Sequence, residues 1–270
     1  MSNIIIQYDG FIRLSAFIFM LIIMGILENV TPRRALTESR AKRWASNLSI
    51  TALNSVLLRF IFPISAVVVA FYADDNHLGL FNSVLKINDL WAVIISILIF
   101  DLVIYWQHRL FHVIPVLWRV HRMHHVDLDI DVSTGVRFHP IEIILSLLIK
   151  YATIIVIGAP ALSVVLFQVI LNATSMFNHS NIHLPFLLDK IIRLIIVTPD
   201  MHRVHHSDIV VETNSNYGFN LSIWDKIFGS YRAQPSLGHL GMMIGIKEIR
   251  DTKDCVNLVG MLKLPFMKKS

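Results

Sequence analysis

Long apolar stretches separated by short polar segments dominate the chain as far as residue 177. The stretches at 11–27, 44–73 and 90–106 each carry a single charged residue. A fourth, at 141–177, is interrupted near its middle by the tripeptide GAP, which favours a turn. Because about 20 apolar residues cross a bilayer as a helix, the pattern predicts four to five membrane spans, the last two forming a hairpin.

Composition supports this interpretation and gives the spans an orientation. The 270 residues are 54% hydrophobic and only 16% charged, whereas about a quarter of a soluble domain is charged, so a soluble or disordered chain is excluded. The short segment 31–43 holds five basic residues against one acidic residue. The positive-inside rule therefore predicts that this segment is cytoplasmic, together with segments 107–140 and 178–270, and that the chain starts outside.

Histidines are the unusual feature of the composition, since 11 of the 13 lie between residues 108 and 206. They occur as HRLFH, HRMHH, HSNIH and HRVHH, with one more in RFHPIE. Residues three or four apart share one face of a helix, so each cluster would present two or three imidazoles together. The single cysteine excludes an iron–sulfur cluster or a thiolate zinc site. Ten clustered histidines exceed what one ion binds and fit two ions with about five ligands each.

The predicted fold is therefore an all-α membrane bundle capped on the cytoplasmic side by a helical, histidine-rich part that binds two metal ions. We divide it into N-terminal anchor spans at 1–89, a histidine-rich part at 90–232, which the resemblance described next implies to be the catalytic domain, and a cytoplasmic tail at 233–270. The compact size and the absence of a clear retention signal favour a bacterial inner membrane, with the endoplasmic reticulum as the alternative.

The motifs resemble the fatty acid hydroxylase and sterol desaturase superfamily of membrane di-iron oxygenases. The resemblance includes DLVIYWQHRLFH, PVLWRVHRMHHVD, TGVRFHPIE, TPDMHRVHHSD and NYGFNLSIWDKIFGSY. It implies two iron ions, O2 as co-substrate, and hydroxylation or desaturation of a fatty acyl or sterol-like lipid, between which the shared motifs do not choose. It also implies ten metal ligands, which are His108, His112, His121, His124, His125, His179, His183, His202, His205 and His206.

Four further residues are candidates for positions around these ligands. Asp127 and Asp208 follow the two HH pairs, and each is either an acceptor for a ligand N–H group or a surface charge at a helix end. His139 has either an orienting or a structural role. Asp101 is an intramembrane carboxylate, which is costly unless it has a function, and it would face either the metal cluster or Arg59.

Other functions remain open at this point. An alkyl ether monooxygenase or an aldehyde-processing enzyme would use the same histidines, and a non-enzymatic protein would bind metal or haem with them. The sequence contains no dinucleotide fingerprint, cysteine cluster or haem-attachment motif. We therefore predict a separate electron donor, such as a ferredoxin, cytochrome b5 or a reductase, besides the lipid substrate and the membrane, and no nucleic-acid partner.

Overall fold

The computed structural model describes residues 2–85 and 87–268 and consists of helices joined by short loops. Residues 1, 86, 269 and 270, which belong to the predicted anchor and tail, lie outside this description. Within the described residues the β-structure is limited to isolated bridges. The α-helices are α1 Ser2–Val30, α2 Arg40–Ile61, α3 Ala66–Asp75, α4 Leu80–Ser83, α5 Asp89–Val113, α6 Pro115–His125, α7 Pro140–Ile157, α8 Ala161–Asn178, α9 Phe186–Ile192, α10 Pro199–His205, α11 Val210–Thr213, α12 Ile223–Ile227, α13 Gly238–Gly241, α14 Thr252–Cys255 and α15 Leu258–Lys263.

Five helical segments of the described chain are long and apolar enough to cross a membrane, which confirms the predicted all-α bundle of four to five spans. They are Gln7–Val30, Arg40–Ser83, Asp89–Val113, Pro140–Ile157 and Ala161–Asn178. The predicted hairpin between the last two is also confirmed. Its turn needs a glycine, because Gly158 has a φ of 67° and a Cβ there would lie 2.8 Å from the carbonyl oxygen of Leu78.

The apolar stretch 44–73, which Pro63 interrupts, forms parts of two helices, α2 and α3. Pro63 has no N–H to donate and disfavours the helical conformation of the residue before it, so α2 ends at Ile61 and Phe62 adopts φ −126° and ψ 80°. Helix α3 begins at Ala66, where the side chain of Ser65 accepts a hydrogen bond from the amide of Val68 at 3.3 Å.

One end of the bundle is built around the loop at residues 126–139. From α1, a carboxylate oxygen of Glu28 accepts a hydrogen bond from the amide of Val132 at 2.7 Å. From α8, the Ser175 hydroxyl donates to the carbonyl oxygen of Gly135 at 2.6 Å. Since α5 and α8 end here and α7 begins here, the histidine motifs at their ends meet on one side of the bundle. We call this side the histidine end.

The described part of the tail packs on the histidine end. Arg122 donates to the carbonyl oxygen of Leu264 at 2.5 Å, and Arg137 donates to that of Cys255 at 2.5 Å. Cys255 and Met261 are buried in one core with Met123 of α6. The tail is therefore part of the folded unit, while the three-part division of the chain stays a prediction.

Candidate metal centre

Five imidazoles form a first group where α5, α6 and α10 converge. Pro115 starts α6 two residues after α5 ends, so the chain reverses and the two helices pack against each other. Within the group, one ring nitrogen from each histidine lies within 4.8 Å of the others. Its members, all buried or nearly so, are His108, His112, His121, His125 and His205.

Four further imidazoles form a second group beside the first. His179 follows the last residue of α8, and its Nε2 lies 3.0 Å from the Nε2 of His124 and 3.0 Å from the Nε2 of His202. One ring nitrogen of each member again lies within 4.8 Å of the others. The members are His124, His179, His202 and His206, all buried.

The two H-x-x-H-H motifs are each divided between the groups. On α6, His121 and His125 belong to the five-histidine group, whereas His124 belongs to the four-histidine group. On α10 the division is reversed, since His205 joins the first group while the other two join the second. Residues four apart share a helix face, and the third imidazole of each motif points about 100° away from one of them toward the neighbouring group.

The outer nitrogens of five imidazoles are fixed by acceptors. The Nδ1 atoms of His108, His124, His179 and His205 donate to backbone carbonyl oxygens at 2.7–3.0 Å, those of Tyr217, Arg137, Ser175 and Ser215 respectively. The Nδ1 of His121 lies 2.8 Å from a carboxylate oxygen of Glu142, the third residue of α7. Since a carbonyl oxygen only accepts, each of the four rings it faces carries its proton on Nδ1 and directs the Nε2 lone pair inward.

This arrangement brings lone pairs face to face. The Nε2 atoms of His108 and His205 are 3.0 Å apart, although both rings carry their protons on Nδ1. The same is true of His124 and His179. The inner nitrogens of His121 and His125 have no hydrogen-bond partner among the described residues. Two nitrogens at about 2.1 Å from one cation and at right angles to each other are about 3.0 Å apart, so these sites fit metal ions.

Burial keeps those clustered imidazoles that lie outside the membrane spans in the neutral form, which is the form that can bind a metal ion. Loss of hydration lowers the pKa of His179 and of His205 to about 3. The same loss, reinforced by neighbouring imidazoles, lowers the pKa values of His124, His125 and His206 well below 6.5. These imidazoles are therefore unprotonated at neutral pH, as metal binding requires.

The structure does not bring His183 to either group. Helix α8 ends at Asn178, so the four-residue spacing from His179 no longer places the two imidazoles on one helix face. His183 is exposed, and its backbone amide donates to the carbonyl oxygen of Thr31 at 2.8 Å. Its side chain lines a polar cavity of about 310 Å³ together with Arg33 and Asp200.

The candidates predicted around the ligands have other contacts. His139 caps α7, its Nδ1 accepting from the amide of Ile141 at 3.2 Å. Asp101 accepts from the indole N–H of Trp224 at 2.8 Å. Its hydrogen-bond partners are thus Trp224 and the amide of Leu221, and neither a clustered histidine nor Arg59 is among them. Asp208 is half-buried next to the chain at Met243, to whose carbonyl oxygen its amide donates.

The carboxylate of Asp127 makes its hydrogen bonds to residues other than the clustered histidines. Its carboxylate is fully buried and binds Arg43 at 2.8 Å through two nitrogens, and this arginine holds its pKa down at about 2 against the opposing effect of burial. It also lies 3.7 Å from the guanidinium of Arg137, whose carbonyl oxygen accepts from His124. The direct carboxylate partner of a ligand is Glu142, which the sequence analysis missed, although its position in RFHPIE at the start of a span was a usable signal.

Comparison with known proteins places this geometry in context. Residues 93–230, more than half of the chain, match the sequence model of the family described as Fatty acid hydroxylase. No solved structure matches the chain.

Three relatives illustrate the range of similar proteins. The ornithine lipid hydroxylase OlsE of Rhizobium tropici is 30% identical over 54% of this chain and 43% of its own length. The human alkylglycerol monooxygenase is 31% identical over 60% of this chain and 35% of its own. The human lathosterol oxidase is 27% identical over 61% of this chain and 53% of its own. The matched segments thus span about a third to a half of these relatives.

Proposed function

Since the chain belongs to the fatty acid hydroxylase family, we propose that it is a membrane-bound non-haem di-iron oxidoreductase that uses O2 to hydroxylate or desaturate a C–H bond of a lipid. The observation that carries this proposal is the pair of adjacent histidine groups at one end of five apolar helices. The proposed ligands are the nine histidines of these groups, without His183.

Iron is proposed because attack on an unactivated C–H bond by O2 needs a metal that changes oxidation state, which zinc does not do. When bound, a pair of iron ions supplies the redox chemistry that activates O2 at this site. Imidazole nitrogens suit iron, and the nine clustered histidines would hold two first-row ions, each of which accepts up to six ligands.

The protein's own contribution is to orient the ligands and to exclude water. The N–H groups donated to Tyr217, Arg137 and Glu142 fix the ring orientations before any ion binds, which raises the basicity of the inward nitrogens. Aromatic side chains form part of the surrounding wall. Phe138 stacks on His124 with ring centroids 4.6 Å apart, and Phe219 lies 5.2 Å from His108. A dry apolar wall suits a lipid chain and protects a reactive oxidant from side reactions.

A second candidate activity is that of an alkyl ether monooxygenase. The similarity to the human alkylglycerol monooxygenase supports it. It would use the same nine histidines and differ only in the bond presented to the centre, so that product analysis separates the two activities.

We further propose that the histidine end faces the cytoplasm of a bacterial inner membrane and receives electrons from a separate donor protein. The basic segment 31–43 motivates this orientation through the positive-inside rule. The single cysteine, Cys255, is buried, so a cysteine-ligated redox cluster within this chain is excluded.

The test is metal analysis of the purified protein combined with turnover in ¹⁸O2. Protein loaded anaerobically with Fe(II) is incubated with a lipid extract and a chemical or ferredoxin-based reductant, and the lipids are analysed by mass spectrometry. We expect about two irons per chain and a lipid product that has gained one labelled oxygen or lost two hydrogens. Zinc-loaded protein is the matched control and should be inactive. Bound haem, or full turnover by the zinc form, would overturn the proposal.

A further inference from the structure

Helix α9 and the residues after it bury an ion pair and expose apolar side chains, whereas a helix at the surface of a soluble protein does the reverse. Asp189 and Arg193 face inward, 8% and 6% exposed, and their charged groups lie 2.5 Å apart. Arg193 also donates to the carbonyl oxygen of Ala233 at 2.7 Å. Apart from the exposed Lys190, the outward residues of α9 and of the chain that follows it are apolar and largely exposed, namely Phe186, Leu187, Leu188, Ile191, Leu194 and Ile195. Exposing so much apolar surface to water is unfavourable, whereas contact of this surface with lipid is favourable.

A second segment, α12, extends the same apolar surface. The amide of Ser222 donates to the carbonyl oxygen of Ile195 at 3.0 Å, and the Lys226 ammonium donates to that of Leu194 at 3.1 Å. These bonds hold α12 beside the chain that follows α9. Helix α12 exposes Ile223 and Ile227, so both segments present isoleucine and leucine side chains to the exterior.

Helix α12 is fixed at the depth of a membrane span. The indole N–H of Trp224 donates to Asp101 at 2.8 Å, and the ring of Phe228 lies 4.9 Å from that of Trp106. Asp101 lies about 18 Å along α5 from its first residue, at 1.5 Å per residue. The hydrocarbon core of a bilayer is about 30 Å thick, so a segment attached at Asp101 lies within the depth of the lipid.

From these contacts we propose that residues 186–196 and Ile223–Ile227 form a surface inserted into the lipid leaflet at the histidine end, without crossing the membrane. We call it the insertion surface. It joins the lipid-facing side of α5 directly, because Trp106 packs on Phe228 and is itself partly exposed. The exposed side chain of Lys190 lies along it and suits anionic headgroups. Its apolar character favours lipid over a water-soluble partner.

The insertion surface is coupled to the metal centre through two hydrogen bonds. The carboxylate of Asp225, in α12, accepts from the backbone amide of Tyr217 at 2.8 Å. The carbonyl oxygen of Tyr217 in turn accepts from Nδ1 of His108 at 2.7 Å. Lipid contact by α12 thus supports the segment that orients His108.

Spin labels in a bilayer test the proposal. In a background that carries Cys255→Ser, single cysteines replace exposed residues, and the labelled proteins are reconstituted in nanodiscs containing anionic phospholipid. The test variants are Leu194→Cys and Ile227→Cys, the lipid control is Leu98→Cys on α5, and the aqueous control is Glu248→Cys, all at exposed positions. Relaxation by O2, which concentrates in lipid, is compared with relaxation by a water-soluble nickel chelate.

We expect both test labels to resemble the label at position 98, with O2 relaxation exceeding nickel relaxation, and to differ from the label at position 248 by a reversed ratio. Nickel accessibility equal to that at position 248 would overturn the proposal. Protection from both reagents, with dipolar broadening that disappears on dilution with unlabelled protein, would also overturn it and would identify a second copy of the chain as the occupant.

Discussion

The two histidine groups share the two H-x-x-H-H motifs but are not equivalent. The five-histidine group draws i, i+4 pairs from α5 and α6, while the four-histidine group draws one such pair, from α10. The missing fifth member follows from the end of α8 at Asn178, which removes His183 from the face of His179. The difference shows that one sequence motif does not correspond to one metal-binding group. Each group combines histidines from several motifs that share a helix face or lie on facing helices.

The groups also differ in the charge next to them. A carboxylate oxygen of Glu142 lies 2.8 Å from His121 in the five-histidine group. In the four-histidine group, His124 and His179 donate instead to backbone carbonyl oxygens. A carboxylate makes its imidazole a stronger donor of electron density to a metal than a carbonyl does. We therefore expect the five-histidine site to favour the higher oxidation state.

Removing one imidazole from each group in turn should give the largest difference in iron content and turnover between two variants. His124→Ala leaves three histidines in its group, whereas His125→Ala leaves four in the other. We expect His124→Ala to lower bound iron from about two to about one per chain and turnover by more than about 100-fold, since loss of an outer partner alone costs 10–100-fold. His125→Ala should retain more iron.

Iron content and turnover of these two variants are measured side by side, with membrane insertion as the control for folding. Equal loss of iron in both variants would show that the two ions bind as one cooperative unit, and the distinction between the groups would then fail. Full iron and full activity in His124→Ala would refute its assignment as a ligand.

Neutralising the carboxylate should have the next largest effect. Glu142→Gln keeps the shape of the side chain and a possible hydrogen bond but removes the charge beside His121. We expect a 10–100-fold loss of metal affinity confined to one of two sites, measured by iron titration and by Mössbauer spectroscopy. Ser146→Ala, on the same helix and bonded to Gln107 at 2.7 Å, is the control. Equal changes in both iron signals would contradict the asymmetry.

A fall in pH should destabilise the two groups alike, because burial is the main cause of the lowered pKa values of His179 and His205. The pKa values of His179 and His205, one from each group, are lowered to about 3 in the folded protein. Unfolded, each titrates near 6.5 and binds a proton that the folded state excludes. The free energy of unfolding of the metal-free protein should therefore fall as the pH decreases from about 6.5 toward 3, by about 1.4 kcal/mol per pH unit for each such histidine.

The measurement is the Tm of metal-free and iron-loaded protein in detergent between pH 7.5 and 5.5. Bound metal competes with protons for the same nitrogens, so the loaded protein should hold its Tm to lower pH than the metal-free protein. A metal-free Tm that does not change across this range would mean that the imidazoles are hydrated and not held neutral by burial.

Most of the bundle could be predicted from the sequence, because the length of a membrane span is set by the run of apolar residues along the chain. The hairpin turn at Gly158 and the five spans follow from it. The break after Ile61 was harder, since Pro63 is tolerated in some membrane helices and ends this one. The positions of short helices such as α9 depend on tertiary contacts, here the inward ion pair of Asp189 and Arg193.

At the centre, the residue types were predictable and their partners were not. Spacing identified the histidines that converge, but it continued the helix beyond Asn178 and so included His183. Asp127 was predicted to be either an acceptor for a ligand N–H group or a surface charge at a helix end, yet it is buried and binds Arg43 from a distant helix. Glu142 reaches His121 only because α7 returns to α6, a contact between residues 21 positions apart that periodicity does not encode.

Substitution of His183 should have the smallest effect. It tests whether the two groups really differ in their number of histidines. His183 is exposed, and the hydrogen bond from its backbone amide to the carbonyl oxygen of Thr31 survives substitution. His183→Ala should therefore change turnover and iron content by about twofold at most. His179→Ala, from the same motif, should lose iron. If His183→Ala loses iron equally, the loop after α8 must rearrange when metal binds. The second group would then have five histidines like the first, and the comparison would rest on Glu142 alone.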